Sequence, residues 1–182
     1  MKDYATLDRL AHAPADHPRV PARKTGVLLV NLGTPNGTDY WNMRRYLREF
    51  LSDTRVIEAP KWLWQPILHG IILTTRPSKS GEAYASIWNK EKDESPLRTY
   101  TRAQTEKLAE RFAVKYGEEV VVDYCMRYGD PSTGSTIQKL HDQGCDRIVF
   151  FPLYPQYSAT TTATANDQAF RHLMKMRWQP AF

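Results

Sequence analysis

The chain has 182 residues, of which 41% are hydrophobic and 25% charged, with a formal net charge of +5. That is the make-up of a soluble globular chain, long enough for one domain with a real core or for half of a two-domain protein. The positive charge is scattered and its richest run, MRRYLR (43–48), is short, so composition carries no case for nucleic acid and favours carboxylates, phosphates or an anionic membrane surface.

Residues 1–24 are polar and hold Pro14, Pro18 and Pro21, which reads as a flexible leader without a signal peptide. TGVLLVNLG (25–33) is a short apolar run ended by Gly33 and predicts a buried strand. TPNG (34–37) predicts a turn. Thr38 is placed as the cap of the next helix with Asp39 in its first turn, and Met43, Leu47, Phe50 and Leu51 share its apolar face. Residues 52–60 are irregular. The run WLWQPILHGIIL (62–73) is too short to span a bilayer and is interrupted by Gln65, Pro66 and His69, so it packs in a core or lies on a membrane surface. A helix is predicted through it up to Gly70, followed by a break over TTRPSKSG (74–81) and a helix carrying Tyr84, Ile87 and Trp88.

NKEKDESP (89–96) reads as a charged loop. The spacing of Leu108, Phe112 and Tyr116 predicts a helix over 101–117, stopped by Gly117. EVVVDYCMRYG (119–129) predicts a second buried strand, then a short helix closed by Gly144, then a third strand over 146–155. A last helix over 162–178 places Phe170, Leu173 and Met174 on one side. Strand, helices, strand, helix, strand, helix is the pattern of an α/β, Rossmann-like or flavodoxin-like parallel sheet with helices on both faces. An α/β unit that stops on a helix usually continues into a strand, so the chain is expected to be the first part of a longer protein.

Ligands of an open parallel sheet bind outside the C-terminal ends of its strands. Three such ends are readable, NLGTPNG, MRYGDP and LYPQYS. They are richer in polar and aromatic residues than turn geometry alone requires. None is a glycine-rich phosphate loop. Arg127 and Tyr128 offer a cation and a phenol, although an arginine here also suits a plain ion pair with a helix-borne carboxylate. Tyr154 and Tyr157 read as packing residues whose hydroxyls need partners if buried. Ser158, Thr160, Thr161, Thr162 and Thr164 crowd the third loop. Cys125 and Cys145 match no zinc or redox spacing and read as buried thiols. His141 and His172 read as solvated side chains on helix surfaces, and no histidine pair has metal-ligand spacing.

In their order, GVLLVNLGTP (26–35), RRYLREFLSDTRVIE (44–58), SPL (95–97), MRYGDPS (126–132) and FPLYPQYSATTT (151–162) resemble the ferrochelatase family from about residue 25 onward. The resemblance implies a two-lobed, Rossmann-like fold with this chain as the first lobe, and the insertion of Fe2+, a substrate, into protoporphyrin IX with no organic cofactor. It implies Leu32 beside the macrocycle, Arg76, Tyr84 and Ser95 on the propionates, and Arg127, Tyr128 and Tyr154 on the metal side. The 62–73 segment would form a lip with possible peripheral contact at the inner membrane of a cytoplasmic protein. The family's catalytic histidine motif and its acidic partner lie in the second lobe and do not occur here, so no catalytic base is assigned. A cluster cysteine of some members would fall at Ala159, so no iron–sulfur cluster is expected. The alternatives are a non-catalytic porphyrin- or heme-binding chain, a chelatase for another tetrapyrrole, and a flavodoxin-like nucleotide or flavin binder.

Overall fold

The computed structural model describes residues 23–182, so the expected leader lies outside the described residues but for Arg23 and Lys24. Three strands form one parallel sheet in the order β2-β1-β3. They are β1 (Lys24–Gly33), β2 (Val120–Tyr128) and β3 (Cys145–Pro152). β1 is central because it pairs with both others, Val30 facing Cys125 on one side and Pro152 on the other. α5 (Thr133–Asp142) and α6 (Thr164–Leu173) cover one face of the sheet. There Leu28, Val30 and Cys125 pack with Ile137, Leu140, Ala165 and Ala169, all fully buried. α4 (Pro96–Tyr116) covers the opposite face beside β1 and β2, where Asn31 Nδ2 donates to Thr101 Oγ1 at 3.1 Å. The α/β reading with helices on both faces therefore holds.

Several local expectations are corrected. The cap of α1 (Tyr40–Leu51) is Asp39, not Thr38, because the Asp39 carboxylate accepts from the amides of Trp41 and Asn42. The break at 74–81 does not occur. α2 (Lys61–Ile67), a π-helical turn (Leu68–Ile72) and α3 (Leu73–Ile87) follow without interruption. Pro77 sits inside α3 and lacks the N–H that would bond the Leu73 carbonyl. Tyr40 Oη donates to that carbonyl at 3.1 Å, and so does Arg44. The proline is tolerated because α1 supplies the missing donors. Gly81 is likewise a packing residue, since a Cβ there would come within 2.2 Å of the Thr38 carbonyl oxygen.

α4 starts at Pro96, five residues earlier than expected, with Ser95 as its cap. On α6 the buried residues are Thr164, Ala165, Ala169 and Leu173, whereas Phe170 and Met174 are exposed. His141 and His172 are half-buried rather than solvated, and each has a ring nitrogen without a partner. β2 is fully buried only from Cys125 onward, and Val149 and Phe151 of β3 are exposed on the sheet face opposite α6.

The strand ends come together at Gly33. Its φ is +114°, and a Cβ there would sit 1.9 Å from the Tyr128 carbonyl oxygen. We predict that Gly33→Ala loses the cooperative urea transition of the native chain. Gly70→Ala, at a position with nothing within 4 Å, should leave that transition in place.

Candidate functional site

Two of the three strand-end loops are tied to each other. Asn36 Nδ2 donates to Asp130 Oδ2 at 2.5 Å, and Arg98 on α4 donates to Asn36 Oδ1 at 2.6 Å and to the Asp130 carbonyl at 3.0 Å. Part of the polarity of these loops is therefore spent on holding them in register. The third loop is anchored by the Leu153 amide on the Val30 carbonyl at 2.8 Å. Its Ser158 Oγ accepts from the Thr160 amide and starts a π-helical turn (Ala159–Ala163) that leads into α6. So one hydroxyl of the crowded loop is a cap.

Below these loops lies a buried polar centre. Asp53, just past the end of α1, receives Arg127 Nη2 at 2.5 Å and Tyr128 Oη at 2.9 Å on its Oδ2. The Thr164 hydroxyl donates to the same oxygen. Arg127 Nε in turn donates to Thr164 Oγ1 at 2.7 Å. All four side chains are at most 8% exposed. The Arg127 guanidinium also lies 4.1 Å from the centroid of the Tyr128 ring. Burial on its own would raise the Asp53 carboxyl. The hydrogen bonds from Thr164, the Arg55 amide and Tyr128, with the Arg127 charge, outweigh it and hold the pKa at about 2. Burial pushes the Tyr128 phenol up to about 12, so it stays a donor. Glu49 on α1 completes the surroundings, with Oε1 3.8 Å from Arg127 and Oε2 accepting from the Gly129 amide at 3.0 Å. Burial raises its pKa.

Arg127 opens into a cleft of about 820 Å³ between α1, α2 and α6. Arg45, Arg48, Lys61 and Arg171 line it together with Glu49 and Asp53. Cations outnumber carboxylates, so the cleft favours an anionic ligand. Among the described residues no group of three or more His, Cys, Asp or Glu side chains is placed to hold a metal ion.

The residues named from sequence separate into groups. Leu32, Tyr84 and Tyr128 meet in one apolar cluster with Met43, Tyr46 and Phe50. Its rings are close, with Phe50 and Tyr128 at 5.1 Å and Tyr46 and Tyr84 at 6.3 Å between centroids. Arg127 joins Tyr128 through Asp53. Tyr154 packs against the core under α6, and its buried hydroxyl has no partner. Burial raises its pKa. Arg76 is exposed on α3. Ser95 is buried and its hydroxyl accepts from the Arg98 amide at 3.3 Å, the work of a helix cap. Cys125 and Cys145 are both buried free thiols. Asp53 was missed as a site residue. The available signal was an acid inside an irregular stretch, flanked by FL and RVI, where a surface loop has no need of apolar neighbours. Thr164 was noticed only as one of a run of hydroxyls.

The run at 62–73 is split between two environments. Leu68 and Leu73 are buried, and Trp64 Nε1 donates to the Leu51 carbonyl at 2.7 Å. Trp62, Leu63, Ile67 and Ile71 are exposed. Among the described residues no helix is long and apolar enough to cross a membrane.

Fold and site together define an α/β fold with a largely buried aromatic cluster at its strand ends beside a basic cleft. Sequence comparison specifies it further. A model of the ferrochelatase family matches residues 24–182. Over 92% of its length the chain is 66% identical to a ferrochelatase of Rhizobium etli, covering 48% of that protein. It is 63% identical to a ferrochelatase of Agrobacterium fabrum over 94% of its length, and 61% identical to one of Rhodobacter capsulatus over 94%, covering 49% of each. The chain belongs to the ferrochelatase family, and it spans about half the length of the curated relatives it matches.

The depressed pKa of Asp53 makes it a stabiliser at neutral pH. Its carboxyl titrates at 3.8 when unfolded and at about 2 when folded. Its contribution, about 2 kcal/mol, is present above the unfolded value and is lost as pH falls through the folded one. Urea titrations between neutral pH and about pH 2 should therefore show a flatter acid loss in Asp53→Asn than in the native chain, by about that amount.

Proposed function

We propose that residues 25–182 form the first lobe of a ferrochelatase that inserts Fe2+ into protoporphyrin IX in heme biosynthesis, releasing two protons and needing no organic cofactor. The observation that supports this reading is that Tyr128 shares an apolar cluster with Leu32 and Tyr84 and a carboxylate with Arg127, which lines the basic cleft, in a chain of this family. A porphyrin is a flat apolar disc with carboxylates on one edge. Such a ligand needs an aromatic and aliphatic bed with cations at the rim. Leu32 and the ring of Tyr84 supply the bed. In the assignment that the family resemblance suggests, Arg127 faces the centre of the macrocycle, with Tyr154 and the buried Tyr128 behind it. Arg76 and Ser95 serve the propionate edge in the same assignment.

Chemistry at the ring nitrogens needs a base to accept two pyrrole protons. The two buried ionisable groups beside Arg127 are committed otherwise. Asp53 is held ionised by its donors, and the Tyr128 phenol remains protonated. The lobe binds and orients, and a second lobe supplies the proton acceptor. The exposed side chains of Trp62, Leu63, Ile67 and Ile71 form a lip that rests on the cytoplasmic face of the inner membrane, from which an apolar substrate would enter.

Titrating the chain into protoporphyrin IX should quench the porphyrin's fluorescence. Arg127→Ala should weaken that binding by about tenfold, as expected for losing a charged group's hydrogen bond. No quenching by the native chain removes the porphyrin reading, and full iron-insertion turnover by the chain alone removes the shared-site argument. In a flotation assay with vesicles of anionic lipid, the native chain should rise with the lipid. The double variant Trp62→Ser, Ile71→Ser should stay in solution, and equal flotation of both overturns the lip.

A further inference from the structure

We propose that Asp53 is the positioning residue of this site: one carboxylate oxygen fixes Arg127 in the orientation it presents to a ligand and holds the buried Tyr128 ring against it. The geometry behind this is specific. Three side chains from two elements converge on Asp53 Oδ2, namely Arg127 and Tyr128 from the end of β2 and Thr164 from the start of α6. Arg127 has a second tether, Nε to Thr164 Oγ1 at 2.7 Å, so its guanidinium is held at both ends. The cation is 5% exposed, yet it lines the cleft, so it reaches a ligand without being free to turn toward solvent. Its other carboxylate neighbour, Glu49, is more distant and more exposed, with Oε1 3.8 Å away and Oε2 accepting from the Gly129 amide. Asp53 is thus the principal counter-charge of Arg127.

Asp53 is itself positioned. It lies in the connection from α1 to α2, where its Oδ1 accepts from the Arg55 amide at 2.8 Å and the Val56 and Ile57 amides return to its carbonyl. Two residues on, Arg55 makes a two-pronged pair with Asp167 of α6, at 2.5 and 2.9 Å. This neighbouring pair ties the same connection to the same helix but touches neither Arg127 nor Tyr128. It is therefore an internal control: a merely structural role for Asp53 predicts that loss of either pair has the same consequence. A buried cation deprived of its counter-charge either stays at a cost or turns outward to water. Turning outward would also release Tyr128, whose ring lies against the guanidinium.

The experiment has two arms, and only the ligand arm rests on the porphyrin reading. In the first, the Arg127 Nε–H resonance is assigned in a nitrogen–proton spectrum of the full chain by its absence from Arg127→Lys. A slowly exchanging signal is expected in the native chain and in Asp167→Asn. It should be lost to exchange in Asp53→Asn while the backbone amide spectrum is retained. In the second, protoporphyrin IX binding is followed by fluorescence quenching in a double-mutant cycle. Asp53→Asn should weaken binding about tenfold in the native background and have no further effect once Arg127→Ala is present. Arg55→Gln, which breaks the Arg55–Asp167 pair without removing the carboxylate beside Arg171, should lower the urea midpoint without changing porphyrin affinity.

A persistent Arg127 Nε–H signal in Asp53→Asn overturns the proposal, as does an Asp53 effect that survives in Arg127→Ala. Asp53→Glu keeps the charge and decides the case if the asparagine variant does not fold: return of the protected signal supports the positioning role, and its absence in a folded Asp53→Glu protein counts against it. If the native chain does not bind porphyrin at all, the functional reading fails, and the resonance of Arg127 still decides whether Asp53 holds it.

Discussion

A carboxylate buried in this fold must be matched by donors, and the match made at Asp53 organises the edge of the sheet. Left alone, an ionised group in such surroundings would cost several kcal/mol (roughly). The structure meets that constraint by drawing three elements onto one oxygen atom. The end of α1, the end of β2 and the start of α6 are far apart in the chain, and they meet because Arg127, Tyr128 and Thr164 each donate there. The same arrangement leaves Arg127 charged, nearly buried, and exposed to the cleft on one side. The group that stabilises the connection after α1 also prepares the site.

The surrounding packing follows a similar economy. β1 and β2 pass so closely at their ends that Gly33 is needed against the Tyr128 carbonyl. This close pass brings Leu32 and Tyr128 into one cluster with residues of α1 and α3. Pro77 and Gly81, residues that ordinarily interrupt helices, instead let α3 lie tightly on α1, with Tyr40 and Arg44 donating to the carbonyl that proline leaves unpaired. Asn36, Arg98 and Asp130 brace the first two loops. The third loop is less embraced, and exposed Tyr157 marks its tip.

On the far side, β3 has a different character. Its Val149 and Phe151 face outward, and Phe182 packs against Phe150 and Phe170. Ala181 makes a parallel bridge with Arg147, its amide donating to the Asp146 carbonyl at 2.8 Å and its carbonyl accepting from the Ile148 amide at 2.7 Å. The sheet therefore extends by one bridge beyond its three strands.

The sequence by itself determined the alternation of strands and helices, the two buried thiols and the three strand ends at one edge of the sheet. These are local matters: apolar runs, their period and the residues that stop them. It also determined membership of the ferrochelatase family, through an ordered set of short motifs. What only the tertiary structure decided was which side chains meet. Asp53 and Thr164 are separated by 111 residues along the chain, and no periodicity relates them. Pro77 and Gly81 read as a break because the donors and the backbone that accommodate them come from α1. The buried face of α6 falls on Thr164, Ala165, Ala169 and Leu173, and Phe170 is left outside against Phe182. Patterns of residue type act along the chain, whereas charge compensation and close approach act through space.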